Sequence, residues 1–163
     1  MSIFALTKKT LMTKYILPVL FLLFLNVARA QEENPNYDSG LAESLGADEY
    51  GMKSYVLAIL KAGSNDSKDE SYINKIFRGH MENIGRLASE GKLSLAGPFE
   101  QNAKGYRGIY IFNVKTIAEA EELIKTDPAI MEKVLEAELY EWYGSAALVT
   151  HLDVHKKIAK KNP

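Results

Sequence analysis

An amphipathic stretch that stops on a glycine and turns at once into a strand constrains this chain more than any other feature. From about Glu70 to Glu90 the apolar residues Ile73, Ile76, Phe77, Ile84, Leu87 and Ala88 recur at three- and four-residue steps. That spacing predicts a helix with one apolar face. Gly91 suits the C-terminal cap. Leu93 to Ala96 reads as a short strand ended by Gly97-Pro98. The connection Glu90 to Phe99 therefore lays the helix alongside the strand. His80 falls on the apolar stripe, whereas Arg78, Glu82, Asn83, Arg86 and Glu90 are placed largely around the other side.

The flanking segments complete a pattern. Ser54 to Leu60 is nearly continuous in apolar residues and reads as a central strand. Gly108 to Val114, rich in β-branched and aromatic residues, reads as a third strand. Thr116 and Glu119 have capping-box spacing and open a second helix, with Ala118, Leu123 and Ile124 toward the sheet. That helix ends near Thr126-Asp127, because Pro128 disfavours helical geometry in the residue before it. Ala129 to Val134 reads as a short helical piece. Glu138 to Tyr143 alternates acidic with apolar or aromatic side chains, as a half-buried strand does. The order β-α-β-β-α-β predicts an α+β, ferredoxin-like sandwich with both helices on one face of a four-stranded antiparallel sheet. The other face is left apolar and uncovered, which predicts a homodimer through the open sheet face.

The ends of the chain read differently. Residues 1–30 have the form of a signal peptide. Lys8, Lys9 and Lys14 lead, Tyr15 to Leu25 is apolar apart from Pro18, and Ala28-Arg29-Ala30 offers a small-x-small cleavage site. Met12 is an alternative start that leaves a more compact basic region. The apolar run is shorter than the roughly 20 residues of a membrane span, so the expectation is export to the periplasm or beyond, free of the membrane after cleavage near Ala30. Residues 31–52 read as a flexible spacer with one short helical turn near Leu41 to Leu45. Residues 53–148 form the domain. Residues 149–163 read as a tail, a short extension and then a helix.

Composition excludes several functions. The chain has 20 basic and 21 acidic residues, and the four basic ones in the leader leave the remainder at net −5. An acidic protein of this kind has no electrostatic case for nucleic acid. With no cysteine there are no disulfides, thiolate nucleophiles or thiolate metal sites. No glycine-rich phosphate loop or dinucleotide fingerprint appears, and no cofactor is implied. His151 and His155, four apart around Asp153, could pair on a metal if helical, but no third ligand lies nearby, and a solvated helical face accounts for them.

His80, Glu90-Gly91-Lys92-Leu93, Ala96-Gly97-Pro98-Phe99, Gly108, Ala120, Asp127-Pro128 and Trp142-Tyr143-Gly144 together resemble the YCII-related family of dimeric α/β-barrel proteins. The resemblance covers roughly Lys53 to Leu148. It implies a ferredoxin-like protomer, a homodimer and a small pocket holding a paired His80 and Asp127. The family is similar to muconolactone isomerases and to a dehydrochlorinase acting on a chlorinated hydroxyquinone. The leader and spacer depart from the usual small cytoplasmic member.

Taken on their residues, the candidates each have two readings. His80 is either a satisfied core histidine or a proton-transfer group, and Asp127 either a turn former or the carboxylate that orients it. Gly97, Pro98 and Phe99 make a tight strand end and, as a substrate-binding wall, an apolar surface for a small-molecule ligand. Trp142 and Tyr143 suit core or interface, with Tyr143 also a candidate pocket hydroxyl. Ser94 lacks a nucleophile-elbow context. The expected activity is a cofactor-independent lyase or isomerase using His80 and Asp127. The alternatives are a non-catalytic small-molecule-binding dimer and a cofactor-free monooxygenase.

Overall fold

The computed structural model describes residues 34–161, so the predicted leader and cleavage site lie outside the described residues. By contacts the chain divides into Met1–Asp38 and Ser39–Pro163. In the first unit the described residues hold a turn, with the Tyr37 amide donating to the Asn34 carbonyl at 3.0 Å. All that follows concerns the second.

Its elements are α1 (Ser39–Leu45), β1 (Met52–Ala62), α2 (Glu70–Ser89), β2 (Leu93–Pro98), β3 (Tyr106–Phe112), α3 (Ile117–Ile124), α4 (Pro128–Met131), β4 (Leu135–Ser145), a 3-10 turn (Ala146–Thr150) and α5 (His151–Ile158). The strands form one sheet in the order β2-β3-β1-β4. Every neighbouring pair is antiparallel. This is the ferredoxin-like arrangement, an α+β fold.

Register sets the faces. Ala58 stands opposite Tyr110 and Leu139, and Val56 opposite Phe112. These residues form the core with Ile76 and Leu87 of α2 and Ala120 and Ile124 of α3. Burying each large apolar side chain contributes about 1.5–3 kcal/mol. The neighbouring positions, Leu57, Ile59 and Ile109 among them, point to the opposite face.

Helix ends follow local chemistry. Asp69 caps α2 by accepting the Tyr72 amide. At the other end Gly91 adopts φ +69°, the Lys92 amide reaches the Leu87 carbonyl at 2.9 Å and the Gly91 amide reaches that of Ala88 at 3.1 Å. These two bonds make a Schellman stop, and its left-handed position suits glycine. Thr116 and Glu119 form the reciprocal capping box of α3.

Several boundaries and orientations differ from expectation. β2 does not end at Ala96. Gly97 pairs with Ile109 and Pro98 with Gly108, which proline tolerates because β2 is an edge strand. In α3, Ala118 is exposed while Ala120 and Ile124 are buried, because the Thr116 cap fixes Ile117 as the first helical residue. Residues 39–51 hold a two-turn helix and a tied loop, in which Asp48 accepts the Tyr50 and Met52 amides at 2.9 and 3.0 Å. The second sheet face is partly covered. The 3-10 turn packs against β1 and β2, and α5 against β2. Tyr55 and Ile111 are buried on that side, and the Tyr55 hydroxyl donates to the Ser145 carbonyl at 2.9 Å. Tyr140 stays exposed, and Leu57, Ile59, Ile109 and Trp142 are half-buried. Among the described residues no helix is long and apolar enough to cross a membrane.

Candidate functional site

The inner stripe of α2 is Ile76, His80, Asn83 and Leu87. His80 is therefore carried into the interior by the same periodicity that makes the helix amphipathic. Asp127 arrives by a different route. Pro128 takes the first position of α4, and Asp127 is its N-cap, accepting the Ala129 amide at 2.9 Å. Proline at that position and aspartate before it are both favoured at a helix start. Asp127 is fully buried and His80 is 8% exposed.

The two side chains meet. His80 Nδ1 lies 2.8 Å from Asp127 Oδ2 and 3.0 Å from Oδ1. Tyr110, on the inner face of β3, donates its hydroxyl to Asp127 Oδ2 at 3.0 Å. The carboxylate thus takes three donors: the Ala129 amide, the Tyr110 hydroxyl and the His80 ring. An acceptor so placed assigns the proton to Nδ1 of His80 and leaves Nε2 bare in the neutral ring. The Tyr110 oxygen is 3.3 Å from both His80 nitrogens. The one Tyr110 hydroxyl proton goes to Asp127 Oδ2, so Tyr110 gives no proton to Nε2 and can only stand beside it as an acceptor. Burial first, then the Asp127 charge and the hydrogen bond to it, push the Tyr110 hydroxyl far above the usual phenol range. Tyr110 therefore stays a donor.

The surroundings are apolar. Phe77 meets the His80 ring edge-on at 5.8 Å between centroids, and Tyr110 stacks on it at 6.0 Å. Phe77 and Met81 are partly exposed on one flank of α2. On β2, Ala96 stands opposite Tyr110 in the register, with Pro98 opposite Gly108 on the same face, and both Ala96 and Pro98 are exposed.

The other candidates are placed as follows. Gly97 pairs with Ile109 and lies on the sheet face away from His80. Phe99 is exposed and tilts against Tyr106 at 6.2 Å. Tyr143 stands opposite Ser54, toward the other end of β1 from Leu60 and Gly108, and its hydroxyl donates to Asp48. Trp142 tilts against Tyr55 at 5.7 Å. Ser94 is buried with its hydroxyl unpartnered. His151 bonds the Leu148 carbonyl at 2.8 Å, and among the described residues no cluster of three or more metal-ligating side chains occurs. A separate open groove between α3 and β4, lined by Ile117, Ile124, Ile130 and Leu139, does not include the His80 pair.

Two participants were not expected. Tyr110 gave no signal beyond that of a strand tyrosine until the register put it on the core face, where its hydroxyl needs a partner. Asn83 was placed on the outer side of α2 but is buried, three residues after His80 on the inner stripe.

The pair of a carboxylate and an imidazole whose Nε2 is unprotonated in the neutral ring can accept and deliver a proton at Nε2. No protein-family profile matches the chain. Among solved structures the chain is similar to the 5-chloro-2-hydroxyhydroquinone dehydrochlorinase TftG of Burkholderia phenoliruptrix AC1100, in complex with 2,5-dihydroxybenzoquinone. It is 15% identical, with a TM-score of 0.39, covering 53% of this chain and 92% of that one. Among curated proteins, the uncharacterized protein YjpA of Bacillus subtilis (strain 168) is 31% identical over 75 residues, which are 46% of this chain and 85% of the relative. The chain belongs to the same family as YjpA.

Proposed function

We propose that this chain is an exported, YCII-related protein that moves a proton on a small, partly apolar ring or acid substrate, as a cofactor-independent lyase or isomerase. His80 is the general base or acid through Nε2, and Asp127 fixes its tautomer and balances the imidazolium. The observation that carries the reading is the 2.8 Å contact between His80 Nδ1 and a fully buried Asp127. A carboxylate is buried at such cost only when it is paired and hydrogen-bonded. The partly exposed Phe77, edge-on to the His80 ring, suits an apolar ring. Phe99, just beyond Pro98 at the end of β2, is a further ligand contact in this reading, whereas Gly97 and Tyr143 lie away from the pair. The working form is a homodimer joined by the sheet face that carries Leu57, Ile59 and Tyr140, and export rests on the composition of residues 1–30.

The test is a screen of small lactones and halogenated hydroxylated rings, read by product formation, solvent deuterium incorporation and halide release. Turnover that falls by about 10²-fold or more in His80→Gln and in Asp127→Asn is the expected result, in line with the usual contribution of a positioned acid or base. Turnover that survives His80→Gln would overturn the assignment. Binding without turnover, unchanged in His80→Ala, would make the protein a binding module. Oxygen consumption during turnover would make it a monooxygenase.

A further inference from the structure

Asp127 does not reach His80 by itself. The segment Thr126-Asp127-Pro128 is held against α2 at both ends. On one side a Cβ on Gly79 would come within 2.9 Å of Pro128 Cγ and 3.4 Å of its Cβ. The proline ring cannot swing aside, because its φ is locked and it sits in the first turn of α4. Only the bare glycine lets the Pro128 ring come this close to the α2 backbone. On the other side Arg86 Nη2 donates to both Asn83 Oδ1 and Thr126 Oγ1, 2.8 Å from each, while the one proton of the Thr126 hydroxyl goes to the Leu123 carbonyl at 2.6 Å. Arg86 is itself steadied by Glu90, with Nη1 2.9 and 3.1 Å from the carboxylate oxygens.

Asn83 is conspicuous chemically. It sits on the inner stripe between His80 and Leu87, its side-chain amide nitrogen is buried, and that nitrogen has no partner. A position used for packing alone would be apolar there, as Ile76 and Leu87 are, because a buried unpaired donor is unfavourable. What the asparagine gains is the oxygen that receives Arg86, whose same nitrogen also holds Thr126.

We propose that Gly79 and Asn83 are positioning residues for the His80–Asp127 pair: Gly79 sets how close α4 comes to α2, and Asn83, through Thr126 and Arg86, sets where along α2 Asp127 arrives. The assignment deepens the reading of His80 and Asp127 as the working pair, and its test reads the geometry of the pair and not turnover.

The experiment uses the full chain labelled with nitrogen-15 at histidine, with the His80 ring signals identified by their loss in His80→Gln. In the wild type the neutral His80 ring is expected as the Nδ1–H tautomer, with a downfield, hydrogen-bonded Nδ1 proton. Gly79→Ala and Thr126→Val are expected to lose that proton signal and shift the ring toward the Nε2–H tautomer that free imidazole side chains favour. Thr126→Ser, which keeps the hydroxyl, is expected to retain the wild-type signature. Thr126 is exposed, so Thr126→Val carries the test even where Gly79→Ala does not fold. Wild-type ring signals in Thr126→Val and in folded Gly79→Ala would overturn the assignment while leaving the pair itself intact. A wild-type ring without the Nδ1–H tautomer would overturn the pair and the assignment together. Absence of turnover with the tautomer signature present and sensitive would sink only the enzymatic reading.

Discussion

Asp127 dominates at the scale of single residues. Its carboxylate is fully buried and receives three donors, so removing it strands the His80 ring and the Tyr110 hydroxyl without an acceptor. Asp127→Ala is expected to cost about 3–5 kcal/mol, the range for breaking a buried charged pair. Tyr110→Phe removes one donor and leaves two, so a smaller loss of about 1–3 kcal/mol is expected. Urea unfolding followed by circular dichroism checks both, and equal losses for the two variants would contradict the picture of a carboxylate shared among three donors. His80 and Asp127 were legible in the chain because one sat on a helical stripe and the other before a proline. Tyr110 was not, because a tyrosine among β-branched residues reads as ordinary strand composition, and only pairing opposite Ala96 and Ala58 shows it facing the helix that carries His80.

At the scale of elements, the ends of helices and loops carry the testable chemistry. Lys133 follows α4 at φ 55°, and the Val134 amide reaches the Ala129 carbonyl at 2.9 Å, the same kind of stop that Gly91 makes for α2. A side chain in that left-handed conformation costs about 1 kcal/mol, so Lys133→Gly is expected to stabilise the protein by up to about that amount, read as a raised midpoint of thermal unfolding. The loop before β1 responds to pH. The hydrogen bond from Tyr143, and then the Met52 amide, hold the Asp48 carboxyl below its ordinary 3.8, and the bond to Asp48 pushes the Tyr143 hydroxyl up from 10.0 to about 12. The lowered carboxyl contributes stability above pH 3.8 that is lost as pH falls through its depressed value. The raised phenol contributes stability below pH 10.0 that is lost as pH rises through about 12. The difference in melting temperature between the wild type and Asp48→Asn is therefore expected to be level between these limits and to shrink outside them. This tie joins residues 95 apart in sequence, which is why the sequence offered only a spacer there. The capping box at Thr116 and the stop at Gly91, by contrast, involve residues within a few positions of each other and were readable directly.

At the scale of the whole molecule, the open question is the sheet face opposite the helices. The C-terminal return covers the Tyr55 and Ile111 end and leaves Tyr140 exposed beside half-buried Leu57, Ile59 and Ile109. Apolar area of this kind marks an association surface. Light scattering at micromolar concentration is expected to give the mass of a dimer, and Ile59→Lys, which places a charge in the middle of that face, is expected to give the monomer with its circular dichroism unchanged. A wild-type monomer would contradict the proposed assembly.

The sequence by itself determined the alternation of strands and helices, their caps and stops, and therefore the ferredoxin-like class, because periodicity, capping and proline and glycine chemistry act over a few neighbouring residues. Only the tertiary structure decided which distant groups meet. His80 and Asp127 are 47 positions apart and Tyr110 and Asp127 17 apart, and their contact depends on strand order and on how closely the Pro128 segment packs against Gly79. Those are matters of packing in three dimensions, where the spacing of residues along the chain no longer measures the distance between them.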